Sequence, residues 1–290
     1  MGDRIRMTAR LIKVADGSSI WAATFDEKFT DVFSVQDAIS KKVADALALR
    51  LSEEENKRLT KRYTDNVEAY QLYLTGRYHW NKLTPPEIRT SIGFFKQAID
   101  LDPTYALAYH GLADAYVAFA PFSDMRPRDV LPQGKAAATR ALEIDESLAE
   151  PHATLAFVYT WFDWDWAEAE KEAKRAIALN PNLGFSHLAY AQLLSKTGRH
   201  QEAITEATRA QELDPLSLII NTLHGSYLYQ ARRDDEAITR LQKTIELDPN
   251  FWLAFLSWGR PISTKESIRK PLQNSVRPGN YLGEIRSPSR

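Results

Sequence analysis

Five short phrases return along the chain, each closing a stretch of helical periodicity: AIDLDP at 98–103, ALEIDE at 141–146, AIALNP at 176–181, AQELDP at 210–215 and TIELDP at 244–249. Their ends follow one another at roughly 34 residues, with one longer step between the first phrase and the second. No other feature restricts the fold as much. A unit of that length has room for two short helices and a turn, yet one helical hairpin cannot bury its own apolar face, so neighbouring units must stack.

The cleanest unit, residues 184–217, shows how. FSHLAYAQLLSK places Leu188, Ala191 and Leu194 at spacing three, and QEAITEATRAQEL places Ala203, Ala207 and Ala210 at spacing four and then three. Both spacings return side chains to one helix face. Small residues at the crossing let two helices approach closely. TGRH separates the helices, with Gly198 as the permissive turn residue. Pro215 lacks the amide that a helix interior needs and suits the start of the next element.

On these residues the chain resembles the tetratricopeptide repeat (TPR) family. The family pattern falls on His187, Tyr190, Ala191, Leu194, Ala203, Ala207, Ala210 and Pro215, and again on Asn221, His224, Gly225, Leu228, Ala237, Leu241, Thr244 and Pro249. Thr244 departs from the expected alanine, a change that loosens that crossing. Residues 149–183 form a unit lengthened by one residue, 106–148 carries an insertion at APFSDMRPRDVLP, and 69–105 keeps Gly76, Phe95, Ala98 and Pro103. The resemblance implies a mainly α fold: an α-solenoid of stacked helical hairpins over residues 63–259, about five repeats plus the start of a sixth.

The two ends read differently. In residues 1–62, IRMTARLIKV alternates Ile5, Met7, Ala9 and Leu11, ADGSS supplies a turn, IWAATFDEKF reads as a second strand, and VFSVQDAISKKVADALALRL as an amphipathic helix. Such a partial β-β-α segment is a thin core on its own, and an exposed apolar strand edge is expected. It is similar to the TolB-amino-terminal-like domain that precedes TPR arrays in large bacterial signalling proteins, with Trp21, Phe29, Phe33 and Gln36 as the most distinctive residues. Residues 260–290 bring Pro261, Pro271, Pro278 and Pro288 and lose the repeat period, which reads as an irregular or disordered basic tail. Both ends are consistent with a piece cut, or shifted in frame, from a longer protein.

Net charge is +2 over 1–62, −8 over 63–259 and +5 over 260–290. An array at −8 is a poor match to a phosphate backbone, so nucleic acid is not expected as its partner. No stretch approaches the ~20 apolar residues of a spanning helix, and cytoplasmic placement is the default, within a parent protein for which a membrane anchor remains open. The chain has no cysteine, so disulfides and thiolate chemistry are excluded. His79, His110, His152, His187, His200 and His224 all fall in repeat units, and His152 and His187 recur one repeat apart, which explains them as equivalent hairpin positions better than as metal ligands. No HExxH, phosphate-loop, dinucleotide or GxSxG pattern occurs. The chain is therefore read as non-enzymatic, with no cofactor and no metal.

A run of aromatics, TWFDWDWAEAEKEA at 160–173, falls between the two helices of the third unit. Asp165 followed by Glu168 predicts a capping box, and the tryptophans are expected to fill space against neighbouring hairpins and the insertion, covering Phe119 and Phe122. In TPR proteins the first helices line a concave face. The resemblance places there Tyr70, Tyr73, Arg77, Trp80, His110, Asp114, Phe157, Trp161, Phe185, Leu188, Gln192, Lys196 and Tyr229, together with Leu107, Ile219 and Ser226. Aromatic and apolar with scattered polar groups, this lining suits a protein or peptide partner; a second copy of the chain is a further candidate. The lysine-asparagine clamp that some relatives use for a peptide carboxylate is absent as a set. The expected function is a protein-protein interaction module of a bacterial signalling or transcription-regulatory protein. The alternative is a structural scaffold or oligomerisation element without a discrete ligand.

Overall fold

The computed structural model describes residues 4–12, 18–28, 43, 61–120, 126–255 and 257. The amphipathic helix expected from Val32 onward, Phe122 and the basic tail lie outside the described residues, apart from Val43, which is helical. The chain divides into two compact units, Met1–Ser123 and Asp124–Arg290.

In the first unit, β1 (Arg4–Ile12) and β2 (Ser19–Lys28) pair antiparallel, with Met7 opposite Phe25 and a register shift at Leu11/Ile12. Arg6 and Asp26 face each other and form a 2.8 Å ion pair. Phe25 is buried while Met7 and Ile12 stay exposed. Helices α1 (Val67–Trp80), α2 (Pro85–Leu101) and α3 (Ala106–Phe119) follow, with α1 packed on α2 and α3 on both. Asn66 caps α1 by accepting from the Ala69 amide at 3.0 Å, and Pro85 opens α2 at a position where its missing N–H costs nothing. Phe95 of α2 is fully buried, its ring wedged against Gly76 of α1 and Gly111 of α3.

The second unit contains α4 (Pro127–Ile144), α5 (Ala149–Val158), α6 (Trp166–Leu179), α7 (Gly184–Lys196), α8 (His200–Leu213), α9 (Leu218–Gln230) and α10 (Asp234–Leu247). Hairpins α5/α6, α7/α8 and α9/α10 stack in chain order, first helix on first helix and each second helix on the next hairpin. This is a TPR-like helical-repeat architecture. The crossing positions Ala176, Ala210 and Thr244 are all fully buried. Thr244 keeps its hydroxyl satisfied by donating to the Arg240 carbonyl at 3.1 Å, so the expected loosening is not needed to accommodate it.

The recurring phrases have a local cause that the helical pattern does not reveal. Asp102, Asp145, Asn180 and Asp248 each accept, through Oδ1, the amide two residues on, at 2.8–3.2 Å. This Asx turn folds the chain out of one helix and into the next, and Pro103, Pro181 and Pro249 sit inside that turn rather than in the following helix. The turn between paired helices also has a fixed conformation. Trp164, Gly198 and Arg232, each one repeat from the next, take φ of 56°, 81° and 63°, and Leu83 of the first unit takes 50°.

The extra residue of the third repeat is absorbed as a single π-helical turn, Tyr159–Asp163, closed by the Trp164 amide on the Tyr159 carbonyl. Half of the expected capping box forms: Asp165 accepts from the Glu168 amide at 3.1 Å. Glu168 turns instead to Lys171 at 2.9 Å, and the Asp165 amide is taken by the Tyr159 carbonyl. The packing expected of the tryptophans holds for Trp161, which lies edge-on to Phe157 at 5.9 Å. It fails for Trp164 and Trp166, which are 65% and 46% exposed. The left-handed backbone at Trp164 aims that side chain off the end of the hairpin.

Candidate protein-interaction faces

In the first unit Tyr70, Tyr73, Arg77 and Trp80 occupy one face of α1, at helical spacings of three, four and three. The Arg77 guanidinium stacks over the Trp80 ring at 4.5 Å and reaches Asp114 of α3 at 3.4 Å. His110 lies one turn before Asp114, with Nε2 only 3.3 Å from Oδ1, yet the angle makes no hydrogen bond and Nε2 stays unsatisfied. We take the contact as an electrostatic approach rather than a bond. Tyr73 meets Phe95 and Tyr105 at 5.9 and 5.3 Å. Tyr70 and Leu107 pack on the same cluster, so this face is half core and half surface.

In the second unit Phe157 stands at the centre of an aromatic group with Trp161 and Phe185, at 5.9 and 5.2 Å. Several residues assigned to the lining are core instead. Phe157 is 5% exposed, Gln192 2% and Leu188 not at all. Gln192 has a structural role, accepting from the buried Tyr227 hydroxyl at 3.0 Å. Tyr229 packs on the cluster of Ile204, Leu228 and Ala237. What stays accessible or partly so is Trp161, Phe185, Lys196, Ile219, Ser226 and Tyr229. Trp80 in the first unit and Trp161 in the second share one property: each indole Nε1 is buried without an acceptor among the described residues.

His152 and His187 each pair with a glutamate of the second helix of their own hairpin. His152 Nδ1 lies 2.5 Å from Glu172, and His187 Nδ1 lies 2.7 Å from Glu206, with its Nε2 on the Pro181 carbonyl at 3.0 Å. Glu206 holds the His187 pKa above its usual value against the opposing effect of burial. One repeat on, Asn221 and Arg240 replace the pair, and Asn221 Nδ2 donates to the Pro215 carbonyl at 2.9 Å and to the Ser217 carbonyl at 2.8 Å. Among the described residues no group of His, Asp and Glu is placed to hold a metal ion. None of the described helices is long and apolar enough to cross a membrane.

No family model matches the chain. A protein of Rhizobium meliloti (strain 1021) named "Putative adenylate cyclase 3" is 31% identical over 165 residues, 55% of this chain and 27% of that protein. The chain thus spans about a quarter of that relative's length. Among solved structures, a thermophilic TPR protein of Thermus thermophilus is similar at 20% identity and TM-score 0.48, over 68% of this chain and all of the other. YrrB, described as a TPR protein with an unusual peptide-binding site, is similar at 20% identity and TM-score 0.38, over 75% and 96%. The reading of the chain as non-enzymatic is corrected by the Rhizobium protein, whose name is that of an enzyme. Most of that relative's length lies outside the match.

Proposed function

We propose that the described helices form a protein-interaction module of a larger bacterial signalling protein, taking an extended or helical peptide segment against the first-helix faces. The observation that carries this reading is the pair of indole N–H groups, Trp80 and Trp161, left without acceptors on half-exposed aromatic faces. A buried donor without a partner is costly, which favours a turn of either ring toward solvent, where a backbone carbonyl of a docked segment supplies the acceptor. The similarity to a protein named as a cyclase, and the likeness of residues 1–62 to TolB-amino-terminal-like segments, support a signalling context.

The test is a peptide-display selection against the full chain, followed by titration of the selected peptides. We expect saturable binding that weakens about tenfold or more, ~1.4 kcal/mol, in Trp80→Phe or Trp161→Phe, which delete the N–H and keep the ring. Helicity should be unchanged. Peptides that bind both variants as well as the parent would refute the reading. Phe157→Ala is unsuited to this test because Phe157 is core.

A further inference from the structure

One niche occurs twice in the second unit, between the second helix of one repeat and the hairpin of the next, and its copies differ by a carboxylate. In the first copy Glu170 of α6 accepts from the Tyr190 hydroxyl at 2.9 Å and from Arg199 Nη1 at 3.2 Å, and Lys174 Nζ lies 2.9 Å from the same oxygen. Lys174 first, then Tyr190 and Arg199, hold the Glu170 carboxyl down at about 2, against desolvation. One repeat further on, Ile204, Thr208, His224 and Arg233 stand where Glu170, Lys174, Tyr190 and Arg199 stood. The guanidinium is kept and its carboxylate is gone.

Arg233 retains its fork on Glu236, at 2.6 and 2.7 Å, as Arg199 does on Glu202 at 2.9 and 2.7 Å. Its Nη1, the counterpart of the atom that holds Glu170, has no partner among the described residues. In the place of Glu206 stands Arg240, half-buried and likewise without a carboxylate among the described residues; burial alone acts on its guanidinium. Lys243 adds a further positive charge at the rim. His224 is 3% exposed, with Nδ1 unsatisfied. Together these line a cavity of about 250 Å³, with Ile204 and Leu228 as its apolar wall. That volume equals several waters at ~30 Å³ each, room for a side-chain terminus.

We propose that this niche takes the carboxylate of an acidic side chain from a protein partner, seated as Glu170 is seated one repeat earlier, on Arg233 Nη1 and Arg240, with Ile204 and Leu228 against its methylenes. The site lies between α8, α9 and α10, and none of its lining residues is among those assigned to the first-helix faces. A forked cation meeting a carboxylate in a partly desolvated pocket forms the stronger kind of charge-assisted bond.

The probe is a capped tetraglutamate peptide titrated into the full chain, with the ring signals of His224 followed by NMR and tetraglutamine as the uncharged control. We expect a saturable shift at His224 with tetraglutamate only, at least about tenfold weaker in Arg240→Met, ~1.4 kcal/mol. Ile204→Glu, which restores a carboxylate in cis, should also abolish it. Helicity measured on both variants separates loss of the site from loss of the fold, and either variant alone suffices. No shift with tetraglutamate, an equal shift with tetraglutamine, or a shift unchanged in folded Arg240→Met overturns the proposal. So does binding of inorganic phosphate without binding of the peptide, which would assign the niche to a free anion.

Discussion

Gly111→Ala isolates the close approach on which the first unit is built. A Cβ added at Gly111 stands 2.6 Å from Phe95 Cε1, about 1 Å inside the ~3.5–4.0 Å of ordinary carbon contact. The ring has little room to move away, because Phe95 is fully buried and packs as closely on Gly76, where an added Cβ would also lie 2.6 Å from Cε1. Overpacking of this kind costs ~1–3 kcal/mol, whereas replacing glycine by alanine in a helix interior gains up to ~1 kcal/mol. Gly93, in α2, separates the two effects because nothing lies within 4 Å of its added Cβ. We expect Gly93→Ala to stabilise the protein by ~0.5–1 kcal/mol and Gly111→Ala to fall ~1–3 kcal/mol below it. Urea unfolding followed by circular dichroism, with amide exchange in α1–α3 to place the change, measures both. Phe95→Leu, which removes the offending ring edge, should recover part of the loss only in the Gly111→Ala background. A Gly111→Ala protein as stable as Gly93→Ala would show that the α1–α3 packing yields freely, and the reasoning would fail.

Trp164→Gly should stabilise by ~0.5–1 kcal/mol, because a left-handed residue other than glycine costs ~1–2 kcal/mol, offset by the unfolded-chain freedom of glycine at ~0.4–1 kcal/mol. Little burial is lost from a side chain 65% exposed; Trp164→Ala, which keeps the strain, should show no gain in thermal melts. Burial first, then Arg240 and Arg233, push the pKa of His224 from 6.5 down to about 4. A folded value below the unfolded one means stability present above pH 6.5 and lost as pH falls toward about 4. His224→Gln should flatten that acid limb of Tm against pH. His187 is shifted the other way by Glu206, so its contribution is present below pH 6.5 and is lost as pH rises through its folded value; Glu206→Gln should remove the loss and lower the His187 pKa read by NMR. Glu170→Ile removes the upstream carboxylate and leaves Lys174, Tyr190 and Arg199 to receive another. We expect a stability loss within ~1 kcal/mol, since its ion-pair partners reach water, and a new response to the tetraglutamate probe reported by Tyr190.

The parts of the fold legible in the sequence are those that every repeat must satisfy. Ala98, Ala141, Ala176 and Ala210 are readable as crossing points because a small side chain recurs there at the repeat period, and all four are fully buried. The turn is readable at Gly198, where the residue type announces the conformation, and silent at Trp164 and Arg232, where only the period places a left-handed residue. The candidate face is harder. First-helix positions serve packing and recognition with the same residue types, so Leu188, Gln192 and Phe157, assigned to the lining, are core, while Trp80 and Trp161 keep accessible rings. No pattern of apolar spacing distinguishes a glutamine that ties two helices together from one that awaits a ligand.

The carboxylate niche is illegible for a different reason. No residue in it is unusual for its position, and no motif marks it. It becomes visible only when the repeats are treated as substitutions of one another: Glu170 against Ile204, Tyr190 against His224, Glu206 against Arg240. In the upstream copy Lys174, Arg199 and Tyr190 converge on a carboxylate of the chain itself, which shows what the geometry accepts. In the downstream copy the acceptor is replaced by an apolar side chain and a second guanidinium enters, so the same backbone arrangement now concentrates positive charge around an unsatisfied histidine. An array with a net −8 has carboxylates in excess elsewhere on its surface, yet at this site Glu236 alone among the lining residues faces the cations and is held by Arg233 Nε and Nη2. Uncompensated, the half-buried guanidinium of Arg240 opposes folding, so a partner's carboxylate would stabilise the hairpin α9/α10 and the contact together.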